Sequence, residues 1–424
     1  MSFELSPTLQ KRLDALNKVL DILFYITFAL IIARVQISAS MLDPSYAGIL
    51  PARPLELAFN VLVNATLILA AVNLVTRAKL TWDTVLAAAC LVFSVIVRLR
   101  IGYWSMSYLS LSLAAAAYER SGKIMLRISV ITTAVLSVLL YVLSLNGFIG
   151  WIVTEGRHAF GWNYSTDAAA RVFYAFAALF VLREGRPNVF HYILLAVSVL
   201  MNLLFMQAKT ALALSLILLL GTLIYQYLIF PKMKPRRKKK RRAASDTAKT
   251  LLTAVLEAPL VLAAPLLAVG MMHLTRQYTD APSAFYNRFS FLASFRSRLE
   301  IGRAALSNYA VTLFGQHVPQ RGNGGFTIPD GDAYFYIDSS YIRVLVMYGS
   351  VIFIFALLLY AILSLRAAAA GNIYLLCILA LIAVDSVTEQ YFLNPACNPF
   401  FLLVFTNPDI FRRRRGVAPD KSAV

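Results

Sequence analysis

Apolar runs of membrane-spanning length follow one another along almost the whole chain, and that succession restricts the fold more than any single motif. A helix crossing the hydrocarbon core of a bilayer needs about 20 apolar residues. Runs of roughly that length lie near 19–38, 55–76, 82–98, 101–118, 126–150 and 167–182. Six more lie near 189–207, 210–230, 250–272, 340–365, 372–388 and 391–411. Helices satisfy their own backbone polar groups in lipid, so the expected fold class is all-α, a polytopic membrane protein of about 12 transmembrane helices. With 59% apolar residues against 14% charged, a soluble globular enzyme is excluded.

The runs divide the chain into four regions. Residues 1–272 form an N-terminal membrane bundle of about nine spans, with a basic loop at 231–249. Residues 273–339 form one large loop, 340–411 the C-terminal spans, and 412–424 a basic tail. The loop is aromatic and glycine-bearing, and 289–313 places apolar residues at helical intervals, as in short amphipathic helices at a membrane surface. No internal repeat is evident, which weighs against an inverted-repeat transporter.

The net charge of +19 would point to nucleic acid in a soluble chain, but here position decides its meaning. The densest basic blocks, Lys232 to Arg242 and Arg412 to Arg415, are separated by an even number of expected crossings. Both then fall in the cytoplasm under the positive-inside rule, together with both termini, and the large loop falls outside. The long basic run reads as a topological anchor against lipid headgroups rather than a nucleic-acid site. The first 18 residues are polar, so the first span is expected to act as an uncleaved anchor in the cell membrane. Cys90, Cys377 and Cys397 form no close-spaced pair, which supports neither a disulfide framework nor a zinc site.

This topology leaves an outward set of cations that is arginine throughout except for Lys209. It includes Arg98, Arg100, Arg157, Arg171, Arg298, Arg303 and Arg343. Arginine suits two-point contact with phosphate or carboxylate, so an outward cluster points to an anionic ligand, although any one of these side chains can also snorkel. Outward carboxylates are few, among them Glu155, Asp167, Asp338 and Glu389, with Asp385 just inside the membrane. Asp338 before a span also fits a helix cap, and Glu389 also fits a turn. Asp330-Gly-Asp332 has a metal–nucleotide-sugar form but lacks a nucleotide fold around it, and His158 and His317 stand alone. No phosphate loop, zinc spacing or nucleophile elbow is present.

Four separated stretches bear a family resemblance. They are Arg157-His-Ala-Phe-Gly161-Trp-Asn163, Gln207-Ala-Lys209-Thr210, the run Asn287 to Leu299 with Leu313-Phe-Gly315-Gln316, and Asp338-Ser-Ser-Tyr341 with Tyr348-Gly349. In their order, and with Glu389 following, they resemble the polytopic polymerases that join lipid-linked repeat units of O-antigen, capsule or exopolysaccharide, particularly those of Gram-positive type. Lys209 departs from the arginine such proteins tend to carry there, keeping the charge but losing the planar fork.

The resemblance implies a membrane glycosyltransferase of the GT-C-like superfamily that works without a nucleotide sugar, a cofactor or a metal. Its substrate would be an oligosaccharide on polyprenyl diphosphate, and its partners the lipid bilayer, a flippase and a chain-length regulator. Arg157 and Arg298, with Lys209, would hold diphosphate. Asp338 or Glu389 would serve the acceptor hydroxyl, and Tyr341 would line the site. Arg98, Arg100, Arg303 and His317 complete the expected substrate-binding set. A ligase moving finished glycan, for which His317 is the residue of interest, and a glycolipid flippase remain open alternatives.

Overall fold

The computed structural model describes residues 6–77, 79, 81–102, 105–233, 257–278, 293–322 and 334–411. The Asp330-Gly-Asp332 motif, the tail 412–424 and all but the first two residues of the basic run Lys232 to Arg242 lie outside them. The protein is all-helical, with 74% helix and almost no strand. Eight helices among the described residues are long and apolar enough to cross a membrane.

In chain order, beside a single helical turn at Pro44–Ala47, the helices are α1 (Pro7–Ile37), α2 (Ala52–Arg77), α3 (Trp82–Ile101), α4 (Met106–Ala116) and α5 (Gly122–Leu145). A two-stranded hairpin follows, β1 (Val153–Thr154) and β2 (Arg157–His158), and then α6 (Ser165–Leu182) and α7 (Val189–Met201). Next come α8 (Lys209–Ile224), α9 (Ala263–Gln277) and α10 (Ala293–Asn308). The series closes with α11 (Ser340–Arg343), α12 (Ser350–Ala369) and α13 (Ile373–Thr388). Short polar side chains define several starts. Thr81, Ser105, Asn188 and Asn372 accept hydrogen bonds from first-turn amides of α3, α4, α7 and α13, which otherwise lack partners.

Three apolar runs fold differently from the sequence expectation. The run near 101–118 breaks at Gly102, leaving only the 11-residue α4, whose residues from Ser107 to Ala116 are all buried. It packs against α2, α3 and the C-terminal segment, so it is an interior helix rather than a lipid-facing span. The run near 391–411 forms no α-helix. Its buried stretch ends in the 3₁₀ turn Pro399–Phe405, and polar side chains satisfy the carbonyls that an α-helix would have paired. Ser110 Oγ donates to Leu393 O at 2.7 Å and Asn398 Nδ2 to Phe392 O at 2.9 Å. The run near 340–365 is interrupted at Gly349, between a wide turn at Val344–Tyr348 and α12.

Gly349 and Gly315, from two of the sequence stretches singled out above, lock together. A Cβ on Gly349 would lie 2.4 Å from Leu313 O, and one on Gly315 would lie 2.4 Å from Met347 O. Both have positive φ, 90° and 86°. The close approach lets Gln316 N donate to Met347 O at 2.9 Å and Val351 N to Leu313 O at 3.1 Å, pinning the loop to the start of α12. Of the expected amphipathic helices within 289–313, α10 is present, while 289–292 lie outside the described residues.

Candidate functional site

Local structure at one end of the bundle presents three cations. The hairpin turn Glu155-Gly156 has positive φ at both residues, 52° and 77°, the geometry that lets a two-residue turn reverse twisted strands. It presents Arg157, which is paired with exposed Glu155 at 3.2 Å. Beneath it, Trp151 Nε1 donates to His158 Nδ1 at 3.0 Å, and His158 packs against Phe160 and Phe205. His158 is therefore an anchor of the hairpin.

Lys209 is the first residue of α8, reached through a break in which Gln207 adopts a left-handed conformation (φ 52°). Asn202 holds that break, its Oδ1 accepting from Ala208 N at 2.9 Å. No side chain caps the start of α8 and its first turn holds no acid, so the positive dipole end of the helix lies beside Lys209. Arg298 comes from α10, with Nη2 3.4 Å from Asp338 Oδ2 and Nε donating to Thr388 O at 3.3 Å.

The carboxylates are brought in by a backbone clasp. Ser340 N donates to Glu389 O at 3.2 Å, and Ser340 Oγ bridges Glu389 O and Phe392 N at 2.5 and 3.1 Å. This joins the start of α11 to the end of α13, so that Asp338 and Glu389 share one site although 51 residues separate them.

Two adjoining cavities result. The smaller, about 100 Å³, is lined by Arg157, Thr166, Gln207, Lys209, Thr210, Arg298 and Glu389, among others. The larger, about 540 Å³, shares Arg157, Arg298 and Glu389 and adds Asp167, Arg171, Tyr334, Tyr336, Asp338, Arg343, Gln390 and Tyr391. Burial pushes the Glu389 carboxyl well above its usual range; Asp385, Asp338 and Asp167 push the same way and Arg298 opposes. Asp338 is likewise raised by burial, against Arg298 and Arg343. The Glu389 carboxylate accepts no hydrogen bond among the described residues, whereas Asp338 is paired. The two acids are thus inequivalent, one free to take a proton and the other engaged with an arginine.

The structure thus gathers Arg157, Lys209, Arg298, Asp338 and Glu389. The remaining expected residues line neither cavity. Arg98 instead bonds Asn64 and lies over the Tyr108 ring, while Arg100 is exposed at the end of α3. Arg303 donates to Tyr278 O and Arg276 O, tying α10 to the end of α9. His317 is exposed on the loop. Tyr341 is fully buried, with its hydroxyl on Ala383 O at 2.8 Å, and supports the site from within.

Asp167, Arg171 and Arg343, which the sequence places only among the outward charges, and Tyr336 and Tyr391, which it does not mark at all, join this site. Arg171 is 2% exposed, 3.4 Å from Asp167, and lies over the Trp162 ring at 4.5 Å. Asp167 also accepts from the Tyr391 hydroxyl. A sequence signal existed for that pair, since Asp167 and Arg171 stand four apart on an apolar helix, where a charge demands a partner. Nothing local distinguishes Tyr336 or Tyr391 from the many other tyrosines. Among the described residues no group of three or more His, Cys, Asp or Glu side chains could hold a metal ion. Comparisons with protein-family models, with curated proteins and with solved structures find no match for this chain.

Proposed function

We propose that the protein is a polysaccharide polymerase, transferring a growing glycan from polyprenyl diphosphate to a hydroxyl of the next lipid-linked repeat unit at the outer face of the cell membrane. The observation behind this reading is the small cavity in which Arg157, Lys209, Arg298 and the uncapped start of α8 converge beside Glu389. Three cations and a helix N-terminus favour a multiply charged anion such as a diphosphate. The adjoining larger cavity, with tyrosine rings, amides and acids, has the mixed aromatic and polar lining that suits sugar.

In this reaction the bond between the glycan's anomeric carbon and the diphosphate oxygen breaks. The acceptor hydroxyl oxygen forms the new glycosidic bond, and its proton passes to Glu389. The bond electrons leave with the diphosphate, whose growing charge Arg298, Arg157 and Lys209 stabilise. Asp338, paired with Arg298, holds that guanidinium in place.

In this reading the chain crosses the membrane about twelve times, as in membrane glycosyltransferases of the GT-C-like type. The eight long helices and the shorter α9 and α13 would supply most of these crossings, and α4 and the segment after Tyr391, both covered by protein rather than lipid, would complete the count inside the bundle. Both termini lie in the cytoplasm, so the site opens outward, where a flippase would deliver substrate and a chain-length regulator would act. The test is purified protein in nanodiscs with its polyprenyl-diphosphate-linked repeat unit, products separated by length. A ladder that disappears with Arg298→Ala supports the polymerase. A single transfer to a different acceptor would instead establish a ligase, and unchanged substrate would overturn enzymatic transfer.

A further inference from the structure

Helix α13 is enclosed on most of its circumference, packing against α6, α8, α9, α11 and α12. One stripe escapes. Cys377 and Val384 are exposed, Ala380, Leu381 and Thr388 are half-buried, and the spacing keeps them on one face. Among the described residues α8 and α9 both pack on α13 without extensive contact with each other, which leaves room for a groove over this face. The α8 side is fixed at both ends. Thr388 Oγ1 reaches Thr210 Oγ1 at 3.4 Å, and Tyr374 meets Thr222 through a 2.8 Å hydroxyl hydrogen bond. From Cys377 to Thr388 the groove floor runs about 16 Å at the rise of an α-helix.

The groove ends at the small cationic cavity. Thr388, the last residue of the stripe, gives its carbonyl to Arg298, and its neighbour Thr210 lines the cavity with Lys209. An apolar helix face that ends beside two arginines, a lysine and a helix N-terminus suits one ligand shape: a long apolar chain bearing a multiply charged anionic head.

We propose that this groove between α8 and α9, floored by the Cys377 to Thr388 face of α13, holds the isoprenoid chain of a polyprenyl diphosphate while the cationic cavity holds its head. The proposal rests on the lipid-diphosphate reading above and adds the location of the tail. An ordinary diacyl phospholipid fits less well, because its single phosphate leaves most of the cationic charge unmatched.

Cys377 supplies a reporter, since Cys90 and Cys397 are buried and Cys377 is exposed on the groove floor. The experiment follows alkylation of Cys377 by a membrane-permeant maleimide in the detergent-purified full chain. Undecaprenyl diphosphate, inorganic diphosphate and phosphatidic acid are the added probes. At about ten times its Kd, undecaprenyl diphosphate should slow alkylation about tenfold. Inorganic diphosphate should fill the head site and leave the thiol reactive. Phosphatidic acid at the same concentration should protect far less.

Val384→Trp, which obstructs the groove midway, should abolish the protection and leave inorganic diphosphate binding intact. Where that variant does not fold, Arg298→Ala serves instead and should weaken protection by undecaprenyl diphosphate at fixed concentration. Equal protection by phosphatidic acid, or none by undecaprenyl diphosphate, overturns the proposal. The two readings fail separately: protection without a product ladder sinks the polymerase and keeps the groove, whereas a ladder without protection does the reverse.

Discussion

The Tyr174 hydroxyl donates to Asp385 Oδ2 at 2.7 Å, joining α6 to α13 in the interior across 211 residues of chain. Asp385 is 1% exposed and sits one helical turn below Glu389, so this contact keeps a buried acid directly beneath the site satisfied. Tyr174→Phe removes the donor and should destabilise the protein by about 1–3 kcal/mol, the cost of an unpaired buried polar group. Asp385→Asn keeps an acceptor for the phenol and should cost less. Thermal unfolding in one detergent ranks the two variants, and the reverse order would show that the hydrogen bond is not what holds these helices together.

Arg298, like Arg157, lines both cavities, and it is the one of the two that is paired with Asp338. Arg298→Lys retains the charge but not the fork that meets Asp338, Thr388 O and an anion together. Loss of that geometry should lower kcat/KM by about 10–100-fold, or about 1–3 kcal/mol of transition-state stabilisation, at unchanged protein abundance. Product formation by single-turnover kinetics measures it, and full activity in the lysine variant would remove two-point contact from the mechanism.

The raised carboxyl groups set the sign of the pH response. A base must be ionised, so activity should fall as the pH drops through the elevated pKa of Glu389, placing the acid limb above the ordinary glutamate value of 4.5. Arg298 favours the charged form, so Arg298→Ala should move that limb to still higher pH in whatever activity remains. Stability runs the other way. Acids raised on folding stabilise the fold when protonated, and that contribution is lost as pH rises through their folded values. A pH–rate profile with an unshifted limb would argue against Glu389 as the base.

Arg171 and Asp167 form a half-enclosed pair whose charges depend on each other. Arg171→Met should destabilise by about 3–5 kcal/mol, because it leaves the largely buried Asp167 carboxylate without its cationic partner. Combining it with Asp167→Asn should recover part of that loss. Strict additivity of the two substitutions in chemical unfolding would show that the residues do not interact.

Gly349 tolerates no side chain where the loop crosses the start of α12. Gly349→Ala puts a Cβ 2.4 Å from Leu313 O at a φ of 90°. The loss should be at least about 1–3 kcal/mol from backbone strain alone, read as reduced folded yield and a lower unfolding temperature.

The membrane-protein class was legible in the sequence because spanning length and apolarity are local properties of consecutive residues, and α2, α3, α6 and α8 lie close to where their runs placed them. The loop arginine Arg298 and the acids Asp338 and Glu389 stand out in the sequence as candidates, since charges are sparse in such a chain and each demands a reason, and the structure brings the three to one cavity. Whether Arg98 faced a ligand or Asn64 and Tyr108 was not legible, because hydrophobic periodicity does not report which helix a charged residue will meet. The same holds for α4, whose apolar run does not say whether protein or lipid will cover it. Joining the start of α11 to the end of α13 through Ser340, stacking Arg171 on Trp162 and opening a groove between α8 and α9 are long-range outcomes. They follow from how helices of similar apolarity choose neighbours by shape and buried hydrogen bonding, and only the packed bundle decides them.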